Sequence, residues 1–170
     1  YKNVPHLIEV FRQLPISNKP FVLIVAGKPD DEALKQAVCA AAKEANNVQL
    51  HLRFIQDDEL QIFFKAADLV VLPFEEILNS GSLLLALSFD RPVIAPALGA
   101  VAQWQTQVGA DWVRTYKGKL TPEVLLSAIF DYETPSGRAP LESLEWDAIA
   151  TQTISAYEST LSEVATLETP

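Results

Sequence analysis

Residues 69–95 read LVVLPFEEILNSGSLLLALSFDRPVIA. Leu69 to Leu72 is an unbroken apolar run closed by Pro73, the pattern of a strand. Ser80 to Phe89 is Leu-rich and reads as a buried helix. Pro92 then opens a second short apolar run, Val93 to Ala95. Two such strands joined through one helix cannot form a hairpin. They require a crossover connection and therefore parallel pairing.

The same alternation extends in both directions. Upstream, Phe21 to Ala26 (FVLIVA) is a continuous β-branched and aromatic run ended by Gly27, the pattern of a strand buried on both faces. Asp30 or Asp31 caps a helix carrying Leu34, Val38, Ala41, Ala42 and Ala45, which ends near Asn46 and Asn47. Val48 to Phe54 reads as a strand, and Asp57 and Asp58 cap a short helix with Leu60, Phe63 and Phe64. At the start, Leu7, Ile8, Val10, Phe11 and Leu14 recur at helical spacing between Pro5 and Pro15. Downstream, Asp111 to Arg114 reads as a last short strand. Thr121-Pro122-Glu123 is a helix start, with a hydroxyl cap, Pro at the first position and an acid in the first turn. Glu133 to Pro140 is a loop. Leu141 to about Leu161 is helical, with Trp146, Ile149, Ile154 and Tyr157 on its apolar side. The fold class is α/β, a doubly wound parallel sheet in a single domain spanning residues 1–170.

Composition bounds the function. The chain has 170 residues, 49% hydrophobic and 21% charged, enough for one packed core. A net charge of −9, with 13 Lys and Arg spread along the chain, argues against nucleic acid and against anionic lipid as partners. The single cysteine, Cys39, lies in an Ala-rich helical pattern and is expected to be a small core residue. One thiol builds neither a disulfide framework nor a metal cluster, so a reducing, cytoplasmic compartment is the expectation. No apolar run approaches the length of a membrane span, and no signal peptide opens the chain. The sequence starts at Tyr1 and contains no Met, which implies that its natural start lies elsewhere.

In an open α/β sheet, ligands bind beyond the carboxyl ends of the strands. Here those segments are Gly27-Lys28-Pro29, Ile55-Gln56-Asp57, Phe74 to Ser82 and Pro96 to Val101. Asn79-Ser80-Gly81-Ser82 leads into an apolar helix, where small residues let backbone amides and the helix dipole reach a phosphate. The simpler reading of Asn79 or Ser80 is a helix cap. His6 and His51 are far apart in sequence: His6 is placed on the exposed side of the first helix and His51 in a strand. Asp57-Asp58-Glu59 reads as acids at a helix start and not as a metal site. Neither a dinucleotide fingerprint nor a P-loop is present.

The order of these pieces resembles the donor-binding, C-terminal domain of GT-B glycosyltransferases of the family 1 and family 4 type. Lys2-Asn3 followed by Leu7-Ile8-Glu9-Val10-Phe11 is similar to that family's K-G/N…L-I-x-A-F segment, and Phe21 to Gly27 to its L-x-I-x-G strand. Phe54 to Leu60 with Ala67-Asp68-Leu69-Val70-Val71-Leu72-Pro73 resembles F-x-G…L…A-D-V-x-V-x-P. Pro92-Val93-Ile94-Ala95 resembles P-V-I-A, and Trp146 through Tyr157 the closing W-x-x-I-A…Y.

The resemblance implies the C-terminal half of a two-domain enzyme that binds a UDP-, GDP- or similar nucleotide sugar. The acceptor would be held by an N-terminal domain outside these residues, leaving the fragment inactive alone. It implies Lys2 on the donor diphosphate, with Asn79, Ser80, Gly81 and Ser82 beside it. Gly27 and Lys28 follow the first strand, while Phe54 and Ile55 flank the nucleobase through backbone groups. Gly99 lies near the donor sugar. The family's paired acids, seven residues apart, are matched only by Glu75 and Glu76 near the first position, because Leu85 stands at the second. The family's first strand precedes the Lys and lies in the middle of the sheet, so the expectation is either that more sequence exists than is shown or that the sheet is altered and lacks this strand. No cofactor and no metal are implied. Any membrane contact, at the inner face and through the absent domain, would belong to polysaccharide biosynthesis. The alternatives are a non-catalytic module of the same fold, or another GT-B enzyme such as a sugar-nucleotide epimerase or a phosphorylase. An epimerase needs acids or His facing the pocket, and only Glu75 and Glu76 are available.

Overall fold

The computed structural model describes residues 2–15, 21–76, 79–131 and 135–167, with side chains described as far as residue 160. Tyr1, Ile77, Leu78 and the beginning of the Glu133 loop lie outside the described residues. Two units are distinguished, residues 1–139 and residues 140–170.

In the first unit, helix α1 (Val4–Arg12) starts beside Pro5 and buries Leu7, Ile8, Val10 and Phe11. Strand β1 (Leu23–Ala26) follows, then α2 (Glu32–Ala41), whose cap Asp31 accepts from the Leu34 amide at 2.7 Å. This helix ends before the sequence pattern does. The chain turns at Lys43 and Glu44, the latter at φ 65. Strand β2 (Val48–His51), helix α3 (Asp57–Ala66) and strand β3 (Val70–Val71) come next. Helix α4 (Gly81–Ser88), β4 (Val93–Pro96), α5 (Val101–Val108), β5 (Val113–Tyr116) and α6 (Pro122–Phe130) complete the unit.

Pairing is parallel throughout, as the crossover connections require. β1 pairs with β2, placing Leu23 opposite Val48. Separately, β3, β4 and β5 form a three-stranded sheet in that order, with Val70 opposite Val93 and Val93 opposite Val113. The central strand β4 is buried along its whole length. Leu7, Val10 and Phe11 of α1 and Leu125 and Ala128 of α6 form one core cluster with Ile94 and Tyr116, and Leu23, Val48, Leu69 and Val71 pack against it. On β5, buried Arg114 donates through Nη1 to the Ala128 carbonyl. That carbonyl lies in the last turn of α6, where a cation is favoured by the helix dipole.

Three expectations are corrected. Cys39 is exposed and not part of the core, because α2 buries little beyond Val38. His6 is half-buried, with Nε2 at 2.9 Å from the Leu120 carbonyl. The last strand lies at Val113–Tyr116, two residues beyond the run read from the sequence.

In the second unit a 3-10 turn (Glu142–Leu144) precedes α7 (Trp146–Leu167). The helix starts later than Leu141 and runs past Leu161. Trp146, Ile149, Ile154 and Tyr157 recur along it at helical spacing. Among the described residues, no helix is long and apolar enough to cross a membrane.

Candidate functional site

Asn3 precedes α1 in a left-handed conformation, φ 43 and ψ 40, which Asn tolerates better than most residues. This turn aims its side chain across to the loop after β3, where Nδ2 donates to Glu75 Oε1 at 2.9 Å. The segment carrying Lys2 is thereby tied to the end of β3. Lys2, Phe74 and Ser82 are among the residues that line a cavity of about 630 Å³. Phe74 is itself buried.

Ser80 is a buried helix cap: its Oγ accepts from the Leu83 amide at 3.0 Å. The Ser80 carbonyl takes the Leu84 amide at 3.3 Å. A helix leaves its first amides without intrahelical acceptors, and the cap uses only the one from Leu83. The amides of Gly81 and Ser82 are thus the donors that the cap leaves over in the first turn of α4, and Ser82 lines the cavity. An anion bound at that helix start would meet these amides and the positive end of the helix dipole, and Lys2 lines the same cavity.

The other expected site residues are dispersed. Gly27, at φ 144, ends β1 by donating to the His51 carbonyl at 3.1 Å, and it does not line the cavity. Lys28 is exposed beside it. Phe54 is 62% exposed, while the Ile55 side chain is buried. Gly99, at φ 51, turns the chain between β4 and α5, away from the cavity. Asn79 is exposed, and so is Glu76. Leu85 lies on α4 with about a third of its surface exposed, 36%. Phe74 and Asn3 were not singled out by sequence reading. A signal existed for Asn3, a residue that favours left-handed turns placed directly before Val4-Pro5.

Electrostatics at the end of β2 hold the Phe54 segment in place. Arg53 forms a two-pronged pair with Glu59, 2.7 Å to Oε2 and 2.6 Å to Oε1, and Nη1 also reaches the Phe54 carbonyl at 3.1 Å. Glu59 further accepts from the Gln56 amide at 3.3 Å. The Arg53 hydrogen bonds, followed by that amide, lower the Glu59 pKa to about 2. A depressed carboxylate contributes stability above its unfolded pKa and loses it as pH falls through the folded value. The Arg53–Glu59 pair is therefore expected to persist through pH 4. In an NMR titration the Glu59 carboxyl carbon should show its midpoint near pH 2. A midpoint at an ordinary carboxylate value would show that the pair does not form.

Among the described residues, no group of three or more His, Cys, Asp or Glu is placed to hold a metal ion. The cavity lining is mostly apolar, with Lys2, Asp68, Ser82 and Arg114 as its polar side chains.

A family model described as "Glycosyl transferases group 1" matches residues 1–102. The GDP-mannose:glycolipid 4-beta-D-mannosyltransferase of Xanthomonas campestris pv. campestris is 34% identical over 152 residues, covering 88% of this chain and 43% of the relative. A protein of the same name from a named strain of that organism aligns equally. The chain thus spans less than half the length of the curated relatives it matches. Among solved structures, sucrose-phosphate synthase from Thermosynechococcus elongatus superposes with a TM-score of 0.68 at 21% identity, over 95% of this chain and 43% of that one. At that identity the likeness shows the fold alone.

Proposed function

Because the chain belongs to the glycosyl transferases group 1 family, we propose that it is the donor-binding part of a glycosyltransferase and that its donor is a nucleoside-diphosphate sugar of the GDP-mannose type. One observation carries this reading: Lys2 and the start of α4 at Ser82, distant in sequence, line one cavity. The donor named for the mannosyltransferase relative supports the choice of GDP and mannose.

The work of such a site is to hold the donor and to accept charge. As the bond from the sugar to the diphosphate breaks, negative charge grows on the leaving phosphate. Lys2 and the Gly81 and Ser82 amides stand where that charge develops, already oriented, so little reorganisation is needed. Glu75 is bound to Asn3, which makes it a tether for the Lys2 segment. Neither Glu75 nor Glu76 lines the cavity, so the acids that the epimerase reading needs do not face it; the acid among its lining residues is Asp68.

Calorimetric titration with GDP, UDP and ADP tests the reading. GDP should bind, with the other two at least ~10-fold weaker, the discrimination that one or two base-edge hydrogen bonds supply. Lys2→Ala should weaken GDP by roughly 5- to 10-fold, and Lys2→Arg by less, since the ammonium is exposed and partly screened. Failure of all three nucleotides to bind a chain folded by circular dichroism would favour the non-catalytic module.

A further inference from the structure

We propose that Asn3 and Glu75 are positioning residues for the donor diphosphate: their hydrogen bond holds Lys2 at the cavity, and Glu75 serves in it as an acceptor and not as a charge. The inference rests on the nucleotide reading of that cavity.

Asn3 gives up two local preferences to make this bond. It directly precedes α1, where an Asn side chain ordinarily accepts from an amide of the first turn. Here it makes no such cap, and its backbone sits in the left-handed region at φ 43 and ψ 40. That conformation is unfavourable for any residue with a Cβ, although less so for Asn than for most. The side chain instead reaches a residue 72 positions away, with Nδ2 donating to Glu75 Oε1 at 2.9 Å. The bond is exposed, so water competes for both groups and its contribution to the stability of the fold is small. What it supplies is placement.

Both ends of the bond adjoin the cavity. Glu75 follows Pro73 and Phe74, which are buried, so the acceptor is anchored at the end of β3. Phe74 and Lys2, the chain neighbours of Glu75 and Asn3, line the same cavity as Ser82. A lysine carries its charge on a flexible four-carbon stem, which must be ordered when it meets an anion. Fixing the backbone from which that stem starts leaves less to order on binding.

The charge on Glu75 works against the ligand. A carboxylate beside a diphosphate site repels it, and the bond to Asn3 does not need that charge, because an amide oxygen also accepts from Nδ2. Glu75→Gln keeps the tether and removes the repulsion. It should therefore bind GDP at least as tightly as the parent, and up to about 3-fold more tightly at low salt.

The test combines calorimetry with GDP and NMR titration with guanosine, which lacks the diphosphate. Asn3→Gly should weaken GDP about 3- to 10-fold and leave guanosine within about 2-fold, because glycine accepts the left-handed backbone and only the tether is lost. Asn3→Asp sets two carboxylates against each other and should weaken GDP at least as much. Combining Asn3→Asp with Glu75→Gln reverses donor and acceptor at the parent's net charge, and should restore GDP to within about 2-fold of the parent. Equal losses of GDP affinity in Glu75→Gln and Asn3→Gly overturn the acceptor role. A loss shared by guanosine, or no recovery in the double variant, overturns the tether. Absence of GDP binding by the parent sinks the nucleotide reading, and the hold on Lys2 is then judged without ligand by 15N relaxation. The order parameter of the Lys2 amide should stay above about 0.6 in the parent and in Glu75→Gln, and fall below it in Asn3→Gly. Equal order at Lys2 in all three overturns the proposal.

Discussion

Leu83→Ala is expected to destabilise the chain by about 2–5 kcal/mol, the range for deleting a fully buried Leu side chain and leaving a cavity behind. Leu83 has no exposed surface, and Ala86 and Leu87 on the same helix are equally enclosed. The substitution keeps the Leu83 amide, and with it the hydrogen bond to Ser80 Oγ. The loss is therefore one of packing and not of capping. Its functional weight comes from position: Leu83 anchors the first turn of α4, which presents the Gly81 and Ser82 amides. Urea unfolding should show a lower midpoint with an unchanged slope. Leu85→Ala, on the partly exposed side of the same helix, should cost well under ~1 kcal/mol. Equal effects at the two positions would mean that α4 is not seated on the sheet as described.

What the sequence made legible was periodicity with a strong amplitude. β3, α4 and β4 are uniformly apolar between prolines, and the structure forms them where the pattern puts them. α5 was not foreseen, because VAQWQTQV carries only Val101, Ala102, Trp104 and Val108 among polar residues, and Ala100 offers no side-chain cap. Burial is a property of neighbours, which no single segment encodes. FVLIVA reads as buried on both faces, yet Ile24 is 37% exposed, and β2 is the strand partner of β1 among the described residues. An Ala-rich helix has no marked polar side, and Cys39 was assigned inward for that reason although it faces out. The same limit governs the site. Lys2 and Ser82 could be nominated from the order of motifs, but their meeting in one cavity depends on the Asn3–Glu75 bond and on buried Phe74. Gly27, Phe54, Ile55 and Gly99 follow strands or turns as expected, and still do not line that cavity.

Gly81→Pro is expected to lower GDP affinity about 10- to 100-fold while leaving α4 intact, which separates the helix-amide contribution from everything else at the site. A hydrogen bond to a charged group contributes about 1.5–3 kcal/mol, and proline removes the Gly81 donor without adding charge. The backbone tolerates the change. Gly81 is the first helical residue, where proline is favoured, and the preceding Ser80 is extended at φ −129 and ψ 102, as a residue before proline prefers. No atom stands within 4 Å of a side-chain carbon added at Gly81. Gly81→Ala fills the same open space but keeps the N–H, so it should bind GDP as the parent does. Calorimetry on both variants distinguishes the mechanisms. If alanine and proline weaken binding equally, bulk at the helix start is responsible. If neither does, the diphosphate is not held by α4, and the charge of Lys2 would have to be tested as its anchor alone.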